Sequence, residues 1–289
     1  MSGRIRVVTD SVSDLSQAIA QRLGIEVVPV YFSLHGQTYR DDGSVEPSWF
    51  FKQLAESQAI PQTAAPSIQD FVQVYERLRD EGAEHIVTLF LDAQLSSLKH
   101  HALRAAEMTN EVSIHMLGTG QVTMGQGWLV VEAAEAAARG ASVAQVRQLI
   151  ARQRKRTFVI GALASLDYLR RSGRVGWAKA QIGDLLNFKP LIGYHGGEAR
   201  LLGRVRTTRR AINWLVQWVK NAAPFKRLAL LHTGYASDDL ERLRQRLKPY
   251  ILDGTIQAIG AGPVFSTHVG PHAVGVAGLQ AETAEPVHW

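Results

Sequence analysis

The chain has 289 residues, 46% of them hydrophobic and 20% charged, with a formal net charge of +6. That length favours two cores over one, and the composition belongs to a globular chain rather than a disordered or fibrous one. There is no cysteine, which excludes disulfides, thiol nucleophiles and cysteine-held zinc or iron–sulfur centres and fits a reducing compartment. The apolar run near Met1 is short and meets Asp10 at once, so no signal peptide is expected. No uninterrupted apolar run approaches the roughly eighteen residues of a membrane span, so a cytoplasmic chain is expected.

The net charge hides an asymmetry. Between Arg139 and Arg210 there are 16 Lys and Arg against 3 Asp and Glu, while the rest of the chain carries 16 against 23. Such a block reads either as a face for an anionic partner or as a solvated helix surface, the latter above all for "RQRKR" at 152–156.

In chain order, "IRVVTD" (5–10) predicts a short strand, followed by a helix with Ser13 as its cap and Leu15, Ile19 and Leu23 near helical spacing. "IEVVPVYFSL" (25–34) is strand-like, with Pro29 marking an edge or an irregular pairing. "PSIQDFVQVYERLRDEG" (66–82) is the clearest helix: Ser67 and Asp70 have capping-box spacing, and Phe71, Val74, Tyr75 and Leu78 share one face. A buried strand at 85–91, a helix from Ser96, a strand at 112–117 and a helix at 124–140 continue the alternation, which predicts a mostly parallel sheet covered on both faces.

The second half is mixed. A helix at 142–156 leads to a strand at 157–163 and a short helix after Ser165. Residues 189–207 read as strand, Gly-Gly turn, strand, and a long amphipathic helix follows. Strands around 227–234 and 255–262 flank a helix at 237–249, and "HAVGVAGL" closes the fold. The tail from Ala281 carries no folding signal.

Several chemistries lack their residues. There is no P-loop motif, and "GTGQVTMGQG" (118–127) has the context of a phosphate loop but not its spacing. His100 and His101 are adjacent and diverge on a helix, and the spacing of Asp10, Asp14, Asp41 and Asp42 does not group them, so no metal or cofactor is expected. No G-x-S-x-G marks a hydrolase nucleophile. Hydroxyls do gather at strand-to-helix junctions, where an α/β sheet binds ligands: Thr9 and Ser11, Thr63 and Ser67, Ser96 and Ser97, Thr119 and Thr123. Helix capping accounts for such hydroxyls equally well.

An ordered set of motifs resembles the DegV family. "TDSVSDL" (9–15) matches its T-D-S-x-x-D-L opening, "TAAPS" (63–67) its T-S-x-P-S, and "TMGQG" (123–127) its S-x-G-x-G. "YLRRSGRV" (168–175), "KPLI" (189–192), the basic "GRVRTTRRA" (203–211) and "THVGPHA" (267–273) follow in family order. Nearly the whole chain is covered. The chain departs from the pattern at Ala64, at Ser97 and Leu98 in place of Gly-Thr, at Gly118 in place of aspartate, and at His272 in place of glycine.

The resemblance implies a two-domain α/β fold. A Rossmann-like, mostly parallel sheet would occupy residues 1–156, and a mixed α/β domain forming much of a lipid pocket would occupy 157–289. It implies a long-chain fatty acid as ligand, with its carboxylate held by Thr63, Ser96 and His268. Ser11, Ser97, Thr123, Gly125, Thr267 and His272 would neighbour that pocket. It further implies a carrier without catalytic groups of its own, presenting the acid to a fatty acid kinase for acyl-phosphate formation and phospholipid synthesis. Arg174, Arg204, Arg206, Arg209 and Arg210 would be candidates for docking the kinase or for transient contact with a membrane surface. Two other readings compete: a Ser/His acyl hydrolase using Ser96 or Thr63 with His268, and a nucleic-acid binder using the basic block, although the block holds no recognised nucleic-acid motif.

Overall fold

A computed structural model describes residues 4–56, 61–92, 94–174 and 188–287. One of the motif positions above, Val175, and the last two residues lie outside them. Strands β1 (Ile5–Asp10), β2 (Ile25–Val28), β6 (His85–Phe90) and β7 (Ser113–Gly118) form one parallel sheet in the order β2-β1-β6-β7. Helices α1 (Gln17–Leu23), α3 (Ile68–Asp80) and α4 (Leu98–Met108) lie on the crossovers between these strands, and α5 (Thr123–Ala138) and α6 (Val143–Gln153) follow β7. The alternation of sequence signals therefore corresponds to a parallel sheet with helices on both faces, because parallel neighbours need a crossover.

A six-stranded mixed sheet is built wholly from residues after Arg156. It contains β8 (Thr157–Ala162), β9 (Lys189–His195), β10 (Glu198–Val205), β11 (Phe225–His232), β12 (Ile256–Gly260) and β13 (Val274–Gln280), in the order β10-β9-β8-β13-β11-β12. Only β11 and β12 pair in parallel. Helices α8 (Thr208–Ala222) and α9 (Ser237–Leu247) cover its outer face, where Leu215, Val219, Leu240 and Leu243 pack on Phe158, Ile160, Leu230 and Val276.

The sequence-predicted helix at 66–82 is α3, and both hydrogen bonds of the Ser67–Asp70 capping box form. Two local expectations are corrected. Ser13 does not cap the first helix: residues 11–13 form a single 3₁₀ turn capped by Asp10, and Ser16 caps α1 by accepting from the Ile19 N–H at 3.3 Å. The apolar run at 25–34 is not one strand. Pro29 separates β2 from β3 (Tyr31–Leu34), which belongs to a small antiparallel sheet with β4 (Gln37–Arg40) and β5 (Gln62–Ala64). A residue without an amide hydrogen cannot continue the ladder, and here the chain changes sheets at that point. Helix α2 (Pro47–Glu56) follows β4.

Helix α5 holds the two large sheets together. It packs on β1 and β6 on one side and on β8 and β13 on the other. Its sequence is apolar nearly all round, as a helix without a water-facing side must be. Glycines permit the close approach: a Cβ on Gly127 would lie 2.6 Å from the Ser13 carbonyl oxygen, and one on Gly125 would lie 2.8 Å from Val159 Cγ2. Trp128 donates its indole N–H to the Ala277 carbonyl at 3.1 Å. The buried Glu132 is met by Lys226 Nζ at 2.6 Å and Arg227 Nε at 2.9 Å, both on β11.

Removing one partner from a buried charged cluster strands the others. Glu132→Ala is therefore expected to lower unfolding free energy by about 3 kcal/mol, read from denaturant unfolding. Alanine at the exposed Glu107, paired only with Arg104 on the same helix, is expected to change it by less than about 0.5 kcal/mol.

Candidate ligand cavity

Between the two halves of the chain lies a cavity of about 480 Å³. Its floor is the inner face of the mixed sheet, with Val159, Gly161 and Leu163 from β8 and just beyond, Ile192 and Tyr194 from β9, Gly275 from β13 and Leu231 from β11. Val12, Val30, Leu91, Leu95 and Leu98 close it from the first half. Helix α10 (Pro263–Val269) contributes Val264, Phe265, His268 and Val269. Most of this lining is aliphatic or aromatic, as in sites that enclose small apolar ligands.

The polar groups are few. Thr63 sits on β5, opposite Phe32 of β3, and α10 packs against both strands. This brings Thr63 Oγ1 to 3.2 Å from His268 Nε2, across 205 residues of sequence. Ser96 and Ser97 line the cavity from the loop before α4, and Arg174 lines it just beyond α7 (Asp167–Arg171). Ser96, Ser97 and Arg174 also line an adjoining open depression, so they mark where the cavity meets the outside. Burial pushes the His268 imidazole down to about 4, and the positive charge of Arg174 adds to the effect. His268 is thus neutral at physiological pH, and among the described residues its buried Nδ1 has no hydrogen-bond partner.

The remaining sequence candidates separate. Ser97 lines the cavity, whereas Ser11, Thr123, Gly125, Thr267 and His272 do not. Ser11 accepts from the Val30 N–H at 3.1 Å, and Thr267 donates to the Pro263 carbonyl at 2.9 Å within its own helix. Gly125 serves the packing of α5. His272 is exposed and occupies the left-handed region at φ 59°, donating its backbone N–H to the Thr233 carbonyl at 2.7 Å. That conformation explains why a glycine suits this position. Arg174, grouped from sequence with the docking arginines, lines both the cavity and the adjoining open depression. Arg204, Arg206 and Arg209 are exposed, and Arg204 and Arg206 lie 5.1 and 5.0 Å from the centre of the Phe188 ring.

Sequence spacing did not group the aspartates, but the fold does. Asp10 ends β1 and accepts from the Val12 and Leu91 N–H groups at 2.9 and 2.8 Å and from Gln126 Nε2 at 2.9 Å. Asp14 accepts from the Thr123 hydroxyl and, at 2.9 Å, from the N–H of Gly262, the residue that opens α10. A Cβ on Gly262 would lie 3.0 Å from an Asp14 oxygen and 3.3 Å from one of Asp41. Burial raises Asp10 to about 6 and both Asp14 and Asp41 to about 7, with mutual repulsion adding to each of the latter. Among the described residues no Lys or Arg pairs with them, and no group of three or more His, Asp or Glu has a metal-holding arrangement. The "TDSVSDL" string held the only hint, since Asp10 and Asp14 frame the carboxyl end of a parallel strand.

The fold and site thus define an α/β protein that encloses an apolar chamber behind a small hydrogen-bonding neck. The model of a family described as uncharacterised proteins of the DegV family matches residues 4–280, and the chain belongs to the DegV family. A DegV domain-containing protein of Deinococcus radiodurans is 35% identical over 278 residues, covering 94% of this chain and 97% of its own. One from Caldanaerobacter subterraneus is 30% identical over 276 residues, covering 94% and 98%. Among solved structures, a DegV family protein from Thermus thermophilus, described for its fatty acid binding, superposes with a TM-score of 0.87 at 32% identity over 96% of this chain and all of its own. Among the described residues no helix is long and apolar enough to cross a membrane.

The aspartate cluster sets a pH dependence. A carboxyl raised from 3.8 to about 7 binds a proton in the folded chain that the unfolded chain has already lost. Its contribution is most favourable below the unfolded value and is lost as pH rises through the folded one. Thermal stability should fall between about pH 4 and pH 7. Asp41→Asn is expected to flatten that slope and to add about 1–2 kcal/mol at pH 8, read from melting curves across the range. His272→Gly is expected to raise stability by up to about 1 kcal/mol while leaving the cavity unchanged.

Proposed function

We propose that this chain binds a long-chain fatty acid, with the carboxylate at Thr63, Ser96, His268 and Arg174 and the alkyl chain in the apolar cavity. The observation that carries this reading is the Thr63–His268 pair, with Arg174 at the neck of a chamber whose lining is mostly aliphatic or aromatic. A buried anion is costly unless it receives charge-assisted hydrogen bonds, and a guanidinium, an imidazole and hydroxyls can supply them. A dozen buried methylenes contribute about 10 kcal/mol gross, before ordering costs. The fatty acid binding described for the Thermus thermophilus relative supports the same ligand class.

A carboxylate entering the neck changes the electrostatics there. It stabilises the imidazolium form of His268, opposing the burial and the Arg174 charge that lower its pKa to about 4. The hydrolase reading lacks its third member, because among the described residues no carboxylate bonds His268 Nδ1 to orient the ring as a base. The Ser96 hydroxyl instead accepts from the Leu98 N–H at 3.2 Å.

The carboxylate end is also where a second protein could reach the ligand, since Ser96, Ser97 and Arg174 face the open depression. The finer reading is a carrier that presents the acid to a fatty acid kinase, with the partner supplying the nucleotide and with Arg204, Arg206 and Arg209 as candidate docking cations. Acyl-phosphate formation on the bound acid would then feed phospholipid synthesis.

Native mass spectrometry of the protein purified from cells should detect a co-purified mass equal to a long-chain fatty acid. Thr63→Ala combined with His268→Ala should weaken oleate or palmitate binding by about tenfold to a hundredfold in a displacement titration, with little change in melting temperature. Unaltered affinity would rule out this head-group assignment, and a different co-purified mass would rule out the ligand class.

A further inference from the structure

One row of the cavity floor is bare. The register of four strands aligns Ile192 on β9, Gly161 on β8, Gly275 on β13 and Leu231 on β11, and all four line the cavity. The middle two have no side chain, while Val159 and Leu163 stand on either side of Gly161 along the same face. The result is a trough two strands wide, running between apolar walls.

The two glycines are bare for different reasons. A Cβ on Gly275 would lie 2.6 Å from the Ile160 carbonyl oxygen and 3.2 Å from Gly161 Cα, so the packing of the sheet forbids it. A Cβ on Gly161 would meet only the Val274 carbonyl oxygen at 3.4 Å and Gly275 Cα at 3.7 Å, both ordinary contacts, with nothing else within 4 Å. Gly161 is not among the glycines with a left-handed φ. Glycine inside a strand weakens it, so a position that the backbone leaves open to a side chain should not carry one without another reason. The space above Gly161 is the cavity.

We propose that Gly161 is a specificity-determining residue for acyl-chain length: the trough it forms with Gly275 is the passage by which a long chain crosses the sheet. This rests on the fatty-acid reading above and deepens it. A side chain at 161 fills the passage while leaving the polar neck untouched, so it excludes long chains and spares short ones.

The test uses the full chain with Gly161→Ala and Gly161→Val, titrated with dodecanoic, hexadecanoic and octadecanoic acids and melted without ligand. Octadecanoic acid should lose about tenfold in affinity in the alanine variant and about a hundredfold in the valine variant, because a single methylene of misfit in an apolar pocket is worth that much. Dodecanoic acid should stay within about twofold of wild type. If valine prevents folding, the alanine variant still decides, since its methyl makes only the two ordinary contacts. Gly275→Ala, by contrast, should lower the melting temperature. Folded Gly161 variants that keep the wild-type length profile, or that lose all lengths equally, overturn this proposal alone. A wild-type chain that binds no acid of any length overturns the fatty-acid reading and this proposal with it.

Discussion

The structure depends on a helix that has no solvent. Helix α5 lies between a parallel sheet and a mixed sheet, so each face must satisfy a different layer. Most of it does so with apolar side chains, and its few polar groups are each assigned to a partner across the interface. Thr123 bonds Asp14, Gln126 bonds Thr9 and Asp10, Trp128 bonds the Ala277 carbonyl, and Glu132 bonds Lys226 and Arg227. A buried polar group without its bond costs about as much as several well-packed methyl groups gain. These bonds therefore fix how the helix is rotated and how far the sheets stand apart. The cavity lies between the same two layers, so its dimensions follow from that spacing.

The neck of the cavity is organised around a mismatch. A neutral imidazole faces a hydroxyl and a guanidinium, and Nδ1 of that imidazole has no partner. Donors of this kind favour an anion, since a negative charge beside the imidazole and the guanidinium offsets the burial and the positive charge that depress the imidazole basicity. The rest of the lining is mostly hydrocarbon, with His101, Tyr194, His232 and Thr233 as its other polar side chains. The separation of these environments along one cavity selects an amphiphile with its charge at one end.

Much of the architecture was legible in the sequence because it rests on local signals. The Ser67–Asp70 cap and the 3.6-residue spacing predict α3, and the helix expected at 124–140 corresponds to α5, each to within about two residues at its ends. The family's ordered motifs carried Thr63, Ser96 and His268 to one cavity wall, which no spacing rule could have done for residues 63 and 268. Other features were not legible. Pro29 signalled an irregularity, but a change of sheet depends on β4 and β5, whose short polar sequences carry little periodicity. Helix α10 is seven residues long and begins with Pro263, too short for a periodic signal. Arg174 followed a basic run and took its meaning from those neighbours, whereas its position at the cavity depends on the turn after α7.

The aspartate cluster and the glycine floor share a logic. Three carboxylates held together without a cation, and a glycine where the strand has room for a side chain, are both unfavourable for folding taken alone. Each lies beside the cavity rather than at random. Asp14 bonds the N–H of Gly262, the residue just before α10, and so fixes the start of the helix that carries His268, while Gly161 keeps the chamber floor open. Glu132, by contrast, is a buried acid far from the neck, and it is paired with two cations. Where the fold needs only to hold, it balances its charges and fills its space. Where a ligand must be admitted, it leaves acids unmatched and space unfilled, and the bonds across α5 supply the stability that allows both.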